Sequence, residues 1–364
     1  TGSSLRGIGF AHYQQAVGVS APNVTVENCA FVWNADNGLN FHPWSGGVKG
    51  TIPADGVVRG STFTANGQAG LGAGQAPRFL VEDNTISYNN VEGFRRTWGA
   101  AGIKVIQLEG FECRRNLVEH NFAAGIWMDV DANKAVVHHN LVRHNQGLGI
   151  FFEISRECVI AFNICHDNGT GIQVSNATLA RIYNNTLVNN NRSFYVQWWK
   201  RANNEGNVVA GIPRGQEYVT RDNVFKNNLV VYTRKLNGPV LEAQGGSEKS
   251  SARLTDSDYN AYYFGGEGRA TPFARWAVHG GESRIYATFA DFRQVEPNYE
   301  RHSLLLEGAA GDPFFRDAQK GDFRLKAGSP ALGKGEPLPP DVAAVGGSKE
   351  GEPVDMGALG LAQP

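Results

Sequence analysis

Cysteine and methionine are scarce in this chain, with four and two residues among 364. Neither charge sign dominates: 34 Lys and Arg face 35 Asp and Glu, a formal net charge of -1. That balance removes the electrostatic reason to expect nucleic acid or an anionic membrane surface as a partner. No run approaches the ~18 consecutive apolar residues of a membrane span, so no membrane partner is expected. Thr1 to Leu5 carry neither the basic nor the apolar region of a signal peptide, and read as a mature or trimmed start. The cysteines, Cys29, Cys113, Cys158 and Cys165, form no C-x-x-C pair and read mainly as core thiols, with a disulfide possible.

Glycine and asparagine are abundant. Gly is 45 of 364 residues, about one in eight, against a usual ~7%. Asn is 31, and 28 of these precede residue 237, where the chain changes character. With 41% hydrophobic residues, this composition describes regular turns around a packed core and argues against disorder.

The turns recur with a period. A β-like run followed by Asn, one residue and an apolar residue appears at Asn84, Asn116, Asn140, Asn163 and Asn185. Cys29 and Ser61 take the Asn place in earlier copies and Asn228 in a later one; from Cys29 to Asn185 the steps are 32, 23, 32, 24, 23 and 22. A second unit, a small residue followed by alternating apolar positions, starts at Gly38, Gly70, Gly93, Gly125, Gly149, Gly171 and Ser193. A period of 22 to 24 with two short strands fits an all-β fold, a right-handed parallel β-helix with coils ~4.8 Å apart. Leucine-rich repeats share the period, but their regular leucines and helical half are missing. Val26, Val58, Val81, Cys113, Val137, Ile160 and Ile182 form the expected inward column. The Asn column is expected at a tight turn, bonding the turn backbone and its own neighbours. The two 32-residue steps imply loops of about nine extra residues, one near Pro43 to Asp55 and one near Trp98 to Gln107.

Residues 1–236 therefore read as β-helix coils carrying a groove, and 237–364 as the last coils, an irregular cap and an extended tail. Asp258 to Tyr262 looks like one more coil, Phe273 to Phe292 a helix or irregular cap, and Pro313 to Pro330 a closing strand segment. The tail from Gly333 is expected to be extended. A cap is needed because an open coil exposes unpaired strand edges.

Side chains alternate across a strand. In Gly125 to Asp131, Ile126, Met128 and Val130 are expected inward, with Trp127, Asp129 and Asp131 outward. In Gly149 to Ser155, Ile150, Phe152 and Ile154 face inward, with Phe151 and Glu153 outward. Asp129 and Glu153 thus share the place four residues after the leading Gly, on adjacent coils. Two neighbouring acids repel, which raises the proton affinity of one of them. Carboxyls ~5 to 5.5 Å apart suit a retaining glycosidase; the same pair also fits a solvated acidic patch or a cation site. Asp131 lies on the same face and is a third catalytic candidate. Candidate substrate-binding residues on the outward columns are Asn40, His42, Arg95, Trp127, Phe151, Gln173 and Tyr195, with Trp44 in the first loop. Solvent-facing aromatics beside Asn, Gln, Arg and His suit stacking on a sugar ring, provided that no loop covers them. Gly72 and Gly74 are expected to leave room in the groove. Trp198, Trp199 and Lys200 either wall the groove or sit in the core. His138, His139, His144 and His166 fall in turn columns and show no ligand spacing, so neither metal nor cofactor is expected.

The stretch from Gly125-Ile-Trp-Met-Asp129 to Gly149-Ile-Phe-Phe-Glu153, with Asn140-Leu-Val and His144-Asn145 between, resembles the catalytic region of family 120 glycoside hydrolases. These are β-helical retaining β-xylosidases. The resemblance covers about thirty residues and implies Asp129 as nucleophile and Glu153 as acid/base. The expected function is therefore a secreted or periplasmic glycoside hydrolase acting on a polysaccharide or its oligomers. A polysaccharide lyase or uronate epimerase using Arg95, His42 and Lys104, with the acids holding Ca²⁺, is the alternative enzyme. A non-catalytic glycan-binding β-helix is the third class.

Overall fold

The computed structural model describes residues 2–42, 51–203, 213–244, 253–270, 272–277, 282–308, 311–348 and 351–358. They fall into two units. The first comprises Thr1–Cys158 with Lys200–Tyr218, the second Val159–Trp199 with Val219–Pro364.

In the first unit every coil contributes one short strand to each of three parallel sheets. The inward column of the first sheet runs in register through Val26, Val58, Val81, Cys113 and Val137, all fully buried. Each such valine withdrawn from water stabilises the coil by roughly 1.5–3 kcal/mol. Successive coils are thus joined by stacked identical or similar side chains, as in Phe10, Phe31 and Phe63, whose rings stack at 5.2 and 4.9 Å.

The corners are built from asparagine. Asn84 donates its amide to Asn116 Oδ1 at 3.0 Å, and Asn116 donates to Asn140 Oδ1 at 3.0 Å. A second ladder, absent from the sequence reading, runs Asn34, Asn66, Asn89, Asn121 and Asn145 with side-chain bonds of 2.8 to 2.9 Å. The residue before a ladder Asn adopts left-handed backbone, as at Asp83, Arg115, His139, Tyr88 and His120. That conformation is costly for a side-chain-bearing residue. The ladder amides also bond backbone carbonyls of the preceding coil, such as Val58 and Ile86, which ties each turn to the coil before it. The leading-glycine column has its own cause. A Cβ on Gly102 or Gly125 would sit 2.8 or 2.7 Å from the next coil's carbonyl oxygen and about 3 Å from a ladder amide.

Gly102, rather than Gly93, occupies that column, because strand Ala101–Ile106 pairs Ala101 with both Ala69 and Ala124. The extra residues of this coil precede the strand, between Ser87 and Ala101, and Gly93 to Trp98 form an exposed loop. The near-identical rhythm of the two sequence series was therefore partly fortuitous.

The second unit continues the same construction internally. Asn163, Asn185, Asn228 and Asn260 form a ladder, and Ile160 and Ile182 are fully buried. Strands Leu254–Asp258 and Ala261–Gly265 are the expected further coil. Its third sheet ends in an antiparallel pair, Ala274–Trp276 with Arg284–Tyr286. Helix Phe289–Val295 follows, opened by a capping box between Thr288 and Asp291. Phe315–Asp317 and Asp322–Leu325 pair as the closing segment. The tail is not extended throughout: Pro340–Gly346 is a helix, fastened by Asp341 to Arg181 at 2.5 Å. All four cysteines are buried free thiols. Among the described residues no helix is long and apolar enough to cross a membrane.

Candidate active site

Four strands of the third sheet in the first unit carry the site: Ala69–Gly74, Ala101–Ile106, Ala124–Asp129 and Leu148–Glu153. Register sets Gly72, Lys104, Trp127 and Phe151 in one row, and Gly74, Ile106 and Asp129 in the next. The last two strands pair as far as Met128 with Phe152, so Asp129 and Glu153 end them one step later on adjacent coils. Ile103, Val105, Ile126, Met128, Ile150 and Phe152 are fully buried, and strict alternation turns the intervening side chains away from the coil interior.

The alternation stops at the carboxylates. Val130 and Ile154, expected inward, have φ of 39° and 45°, a backbone region where β-branched residues are genuine outliers. They pack against Tyr218 of the Lys200–Tyr218 segment rather than in the coil interior. Strain of this kind, about 1–3 kcal/mol per residue, survives only where surrounding packing holds it. Here it ends both strands abruptly at their acids.

Each acid has its own cation. Asp129 Oδ2 accepts Lys104 Nζ at 2.6 Å, and Asp129 Oδ1 accepts the Val130 amide at 2.8 Å. Lys104 Nζ also lies 2.9 Å from the centre of the Trp127 ring. Trp127 Nε1 donates to Glu153 Oε2 at 3.2 Å, and Arg201 Nη1 donates to Glu153 Oε1. Burial, then the charge of Asp129, push Glu153 up to about 7, against the pull of Arg201 and Lys104. Burial holds Lys104 below its ordinary value, opposed by Asp129. One acid is thus tied to an ammonium rooted in the sheet, while the other is protonatable near neutral pH. A divalent cation between them would have to displace both Lys104 and Arg201, so this donor set does not fit a metal.

The acids open on a cleft of about 680 Å³, within the range of ligand sites. Asn40, His42, Arg95 and Trp127 line it together with Asp129 and Glu153. Arg95 reaches it from the exposed loop, bonded to Thr97 at 2.9 Å, instead of from the sheet column assigned to it; Lys104 holds that column position. Gly72 and Gly74 provide space mainly for protein side chains, since their Cβ atoms would fall 2.8 Å from Asn40 Oδ1 and 2.6 Å from His42 Cδ2.

Several expectations need correcting. Trp127 and Phe151 are not open platforms: they stack on each other at 5.3 Å and are buried with Ala101, Ala124 and Leu148. Trp127 keeps a place in the cleft wall, while Phe151 is packing. Asp131 has turned away, with left-handed backbone, to accept Asn133 Nδ2 at 2.5 Å, and is not among the residues lining the cleft. Gln173 and Tyr195 belong to the second unit, where they are buried and in register with each other, and Arg192 covers the Tyr195 ring at 4.5 Å. Trp198 is buried and Trp199 exposed in that unit, while Lys200 lines the cleft. Trp44 lies outside the described residues. Sequence reasoning missed Arg201, Gln68 and Asn37, all of which line the cleft. Lys104 was named only for the lyase or epimerase alternative, though it stands two residues after Gly102 in an alternating apolar strand.

A parallel coil stack with two unlike carboxylates at matching strand ends defines the class: a β-helix with an acid-lined cleft. The chain belongs to the right-handed β-helix family, whose model, described as "Right handed beta helix region", matches residues 15–187 and 97–230. No curated protein matches the sequence. Among solved structures, it is similar to the A-module of mannuronan C-5 epimerase AlgE6 of Azotobacter vinelandii: 15% identity, TM-score 0.52, covering 80% of this chain and 65% of that one. Pectate lyase Pel9A aligns at 13% identity and TM-score 0.52, covering 97% of this chain and 76% of that chain. XylC, solved with xylose, aligns at 14% identity and TM-score 0.48, covering 87% and 51%. The chain spans less than two thirds of the AlgE6 module's length. At these identities the likeness is one of fold.

Proposed function

We propose that this protein is a retaining glycoside hydrolase acting on an oligosaccharide or polysaccharide. The observation that carries the reading is the unequal environment of two acids on adjacent coils: Asp129 paired with a sheet-borne ammonium, and Glu153 buried and pushed up to about 7. A protonated Glu153 gives its proton to the glycosidic oxygen while Asp129 attacks the anomeric carbon and the C–O bond breaks. Glu153, now a carboxylate, takes a proton from water; the resulting hydroxide attacks the anomeric carbon and frees Asp129. Lys104 orients Asp129, and Trp127 Nε1 orients Glu153. Asn40, His42 and Arg95 are the substrate-binding side chains in this reading, and an extracellular or periplasmic setting belongs to it.

The test is a panel of defined glycans read for reducing sugar, with proton NMR following the anomer first released. Retention of configuration is expected. Asp129→Asn should fall to background and Glu153→Gln should lose roughly 10²- to 10⁴-fold, both remaining folded. Full activity in both variants refutes the assignment. A second reading, a uronate lyase or epimerase, draws on Lys104, a buried amine held below its ordinary value, with Arg95 in the same cleft. An unsaturated product absorbing in the ultraviolet would favour it.

A further inference from the structure

Among the described residues, Arg201 is the one cation bonded to the acid pair that does not come from the sheet. Its backbone is fixed: Tyr218 N bonds Arg201 O at 2.9 Å, Asn203 N bonds Gln216 O at 2.8 Å, and Ala202 bridges Glu217. Tyr218 Oη bonds Asn203 Oδ1 at 3.1 Å, and its ring rests on Val130 and Ile154, the residues directly after the two acids. The Arg201 head is not fixed in this way. Its side chain is 43% exposed while that of its partner Glu153 is 7% exposed, so the guanidinium stands at the mouth and the carboxylate lies within. It meets Glu153 Oε1, whereas Oε2 is held from the wall by Trp127 Nε1. The oxygen that Arg201 occupies is therefore the one turned to the cleft that both residues line.

An acid whose outward oxygen accepts a guanidinium cannot protonate a glycosidic oxygen through that atom. We propose that Arg201 is a positioning residue: it covers the outward oxygen of Glu153 and weakens its hold on a proton while the cleft is empty, and it is displaced by the leaving-group oxygen, so the acid holds its proton more firmly and faces the leaving group as substrate seats. This rests on the hydrolase reading. The charges that act most on Glu153 are Asp129, which favours its protonated form, and Arg201 and Lys104, which oppose it; His42, Arg95 and Lys200 line the same cleft. Lys104 is committed to Asp129 at 2.6 Å. Removing Arg201 from the oxygen thus raises the proton affinity of a buried carboxyl beside a carboxylate, and where Glu153 is ionised a solvent proton neutralises it. No bond other than O–H is made in this step.

The experiment compares wild type, Arg201→Gln and Arg201→Lys. Glu153 is titrated in the free protein by its infrared carboxyl band, assigned by difference from Glu153→Gln. Hydrolysis of xylobiose, whose poor leaving group needs an acid, is followed against pH. Loss of a neighbouring opposite charge should raise the Glu153 midpoint by about one pH unit or more, with Lys restoring most of the difference. The basic limb of kcat/KM, which reports the free enzyme, should move up with it, while that of kcat, which reports the complex, should stay in place. Equal movement of both limbs would mean that Arg201 remains on Glu153 in the complex, and an unmoved midpoint would mean it has no hold on the acid; either overturns the proposal. The titration needs no turnover. If the midpoint moves while no glycoside is cleaved, the hydrolase reading fails and the displacement step fails with it; turnover with an unmoved midpoint overturns the role of Arg201 alone.

Discussion

Glu153→Gln should stabilise this protein, and by an amount that depends on pH. Glutamine retains the shape and a carbonyl oxygen for Trp127 Nε1, but it carries no charge into a buried site. Below the ordinary carboxyl value of 4.5, Glu153 is protonated in folded and unfolded chains alike and the exchange is nearly neutral. As pH rises from 4.5 to about 7, the unfolded chain ionises while the folded one holds its proton. The folded state then binds more protons, so wild-type stability falls over this window and levels off above it. At ~1.4 kcal/mol per pH unit, the shift from 4.5 to about 7 is worth roughly 3 kcal/mol. Losing the Arg201 contact offsets little of this, since the arginine returns to water. Urea unfolding at pH 4, 5.5 and 8, reported by tryptophan fluorescence, measures the difference. The variant should match wild type at pH 4 and gain progressively to a plateau above pH 7. A difference that is flat with pH, or a variant that loses stability at pH 8, would refute a buried, proton-retaining Glu153.

The scaffold makes predictions of its own. Asn121→Ala removes a side chain that donates to Ile86 O and Asn145 Oδ1 and accepts from the Asn89 backbone and side-chain amides. At about 1–3 kcal/mol for a buried group left unpaired, the loss should be roughly 3 kcal/mol or more by denaturant unfolding; a loss below ~1 kcal/mol would show that the ladder is ornamental. Gly102→Val should cost more than the ~1–3 kcal/mol of ordinary overpacking, because its first added atom meets a carbonyl oxygen at 2.8 Å. The same substitution at Gly93, which has open space around it but left-handed backbone, should cost less; equal losses would contradict the register of the third sheet.

The repeat, the inward columns and the first Asn ladder were legible in the sequence because each is a periodic demand. Every coil must bury the same face and close the same turn, so the same residue types return. The matched positions of Asp129 and Glu153 were legible for that reason as well. The place of Gly102 was within reach: Ile103 and Val105 follow it in strict alternation, whereas only Phe94 follows Gly93, but the even spacing of the series pointed to the wrong glycine. The second ladder was within reach as well: Asn34, Asn66, Asn89 and Asn121 are spaced 32, 23 and 32 apart, the same steps as Cys29, Ser61, Asn84 and Asn116, but they stand among many other asparagines.

What the sequence determined by itself is the solenoid and the shared register of two acids, since both follow from local periodicity. What only the tertiary structure decided is which side chains surround those acids. Arg201 stands 48 residues from Glu153 in a segment with no repeat, brought back by the packing of Tyr218 on two strained residues. Asp131 left the face that alternation assigned to it because left-handed backbone at Val130 and Asp131 ended the strand first. Trp127 and Phe151 became wall and packing because Ala101, Ala124 and Leu148 close around them. Periodicity specifies which way a side chain leaves a strand; the material that meets it outside the coil is aperiodic, and is fixed by contacts between residues far apart along the chain.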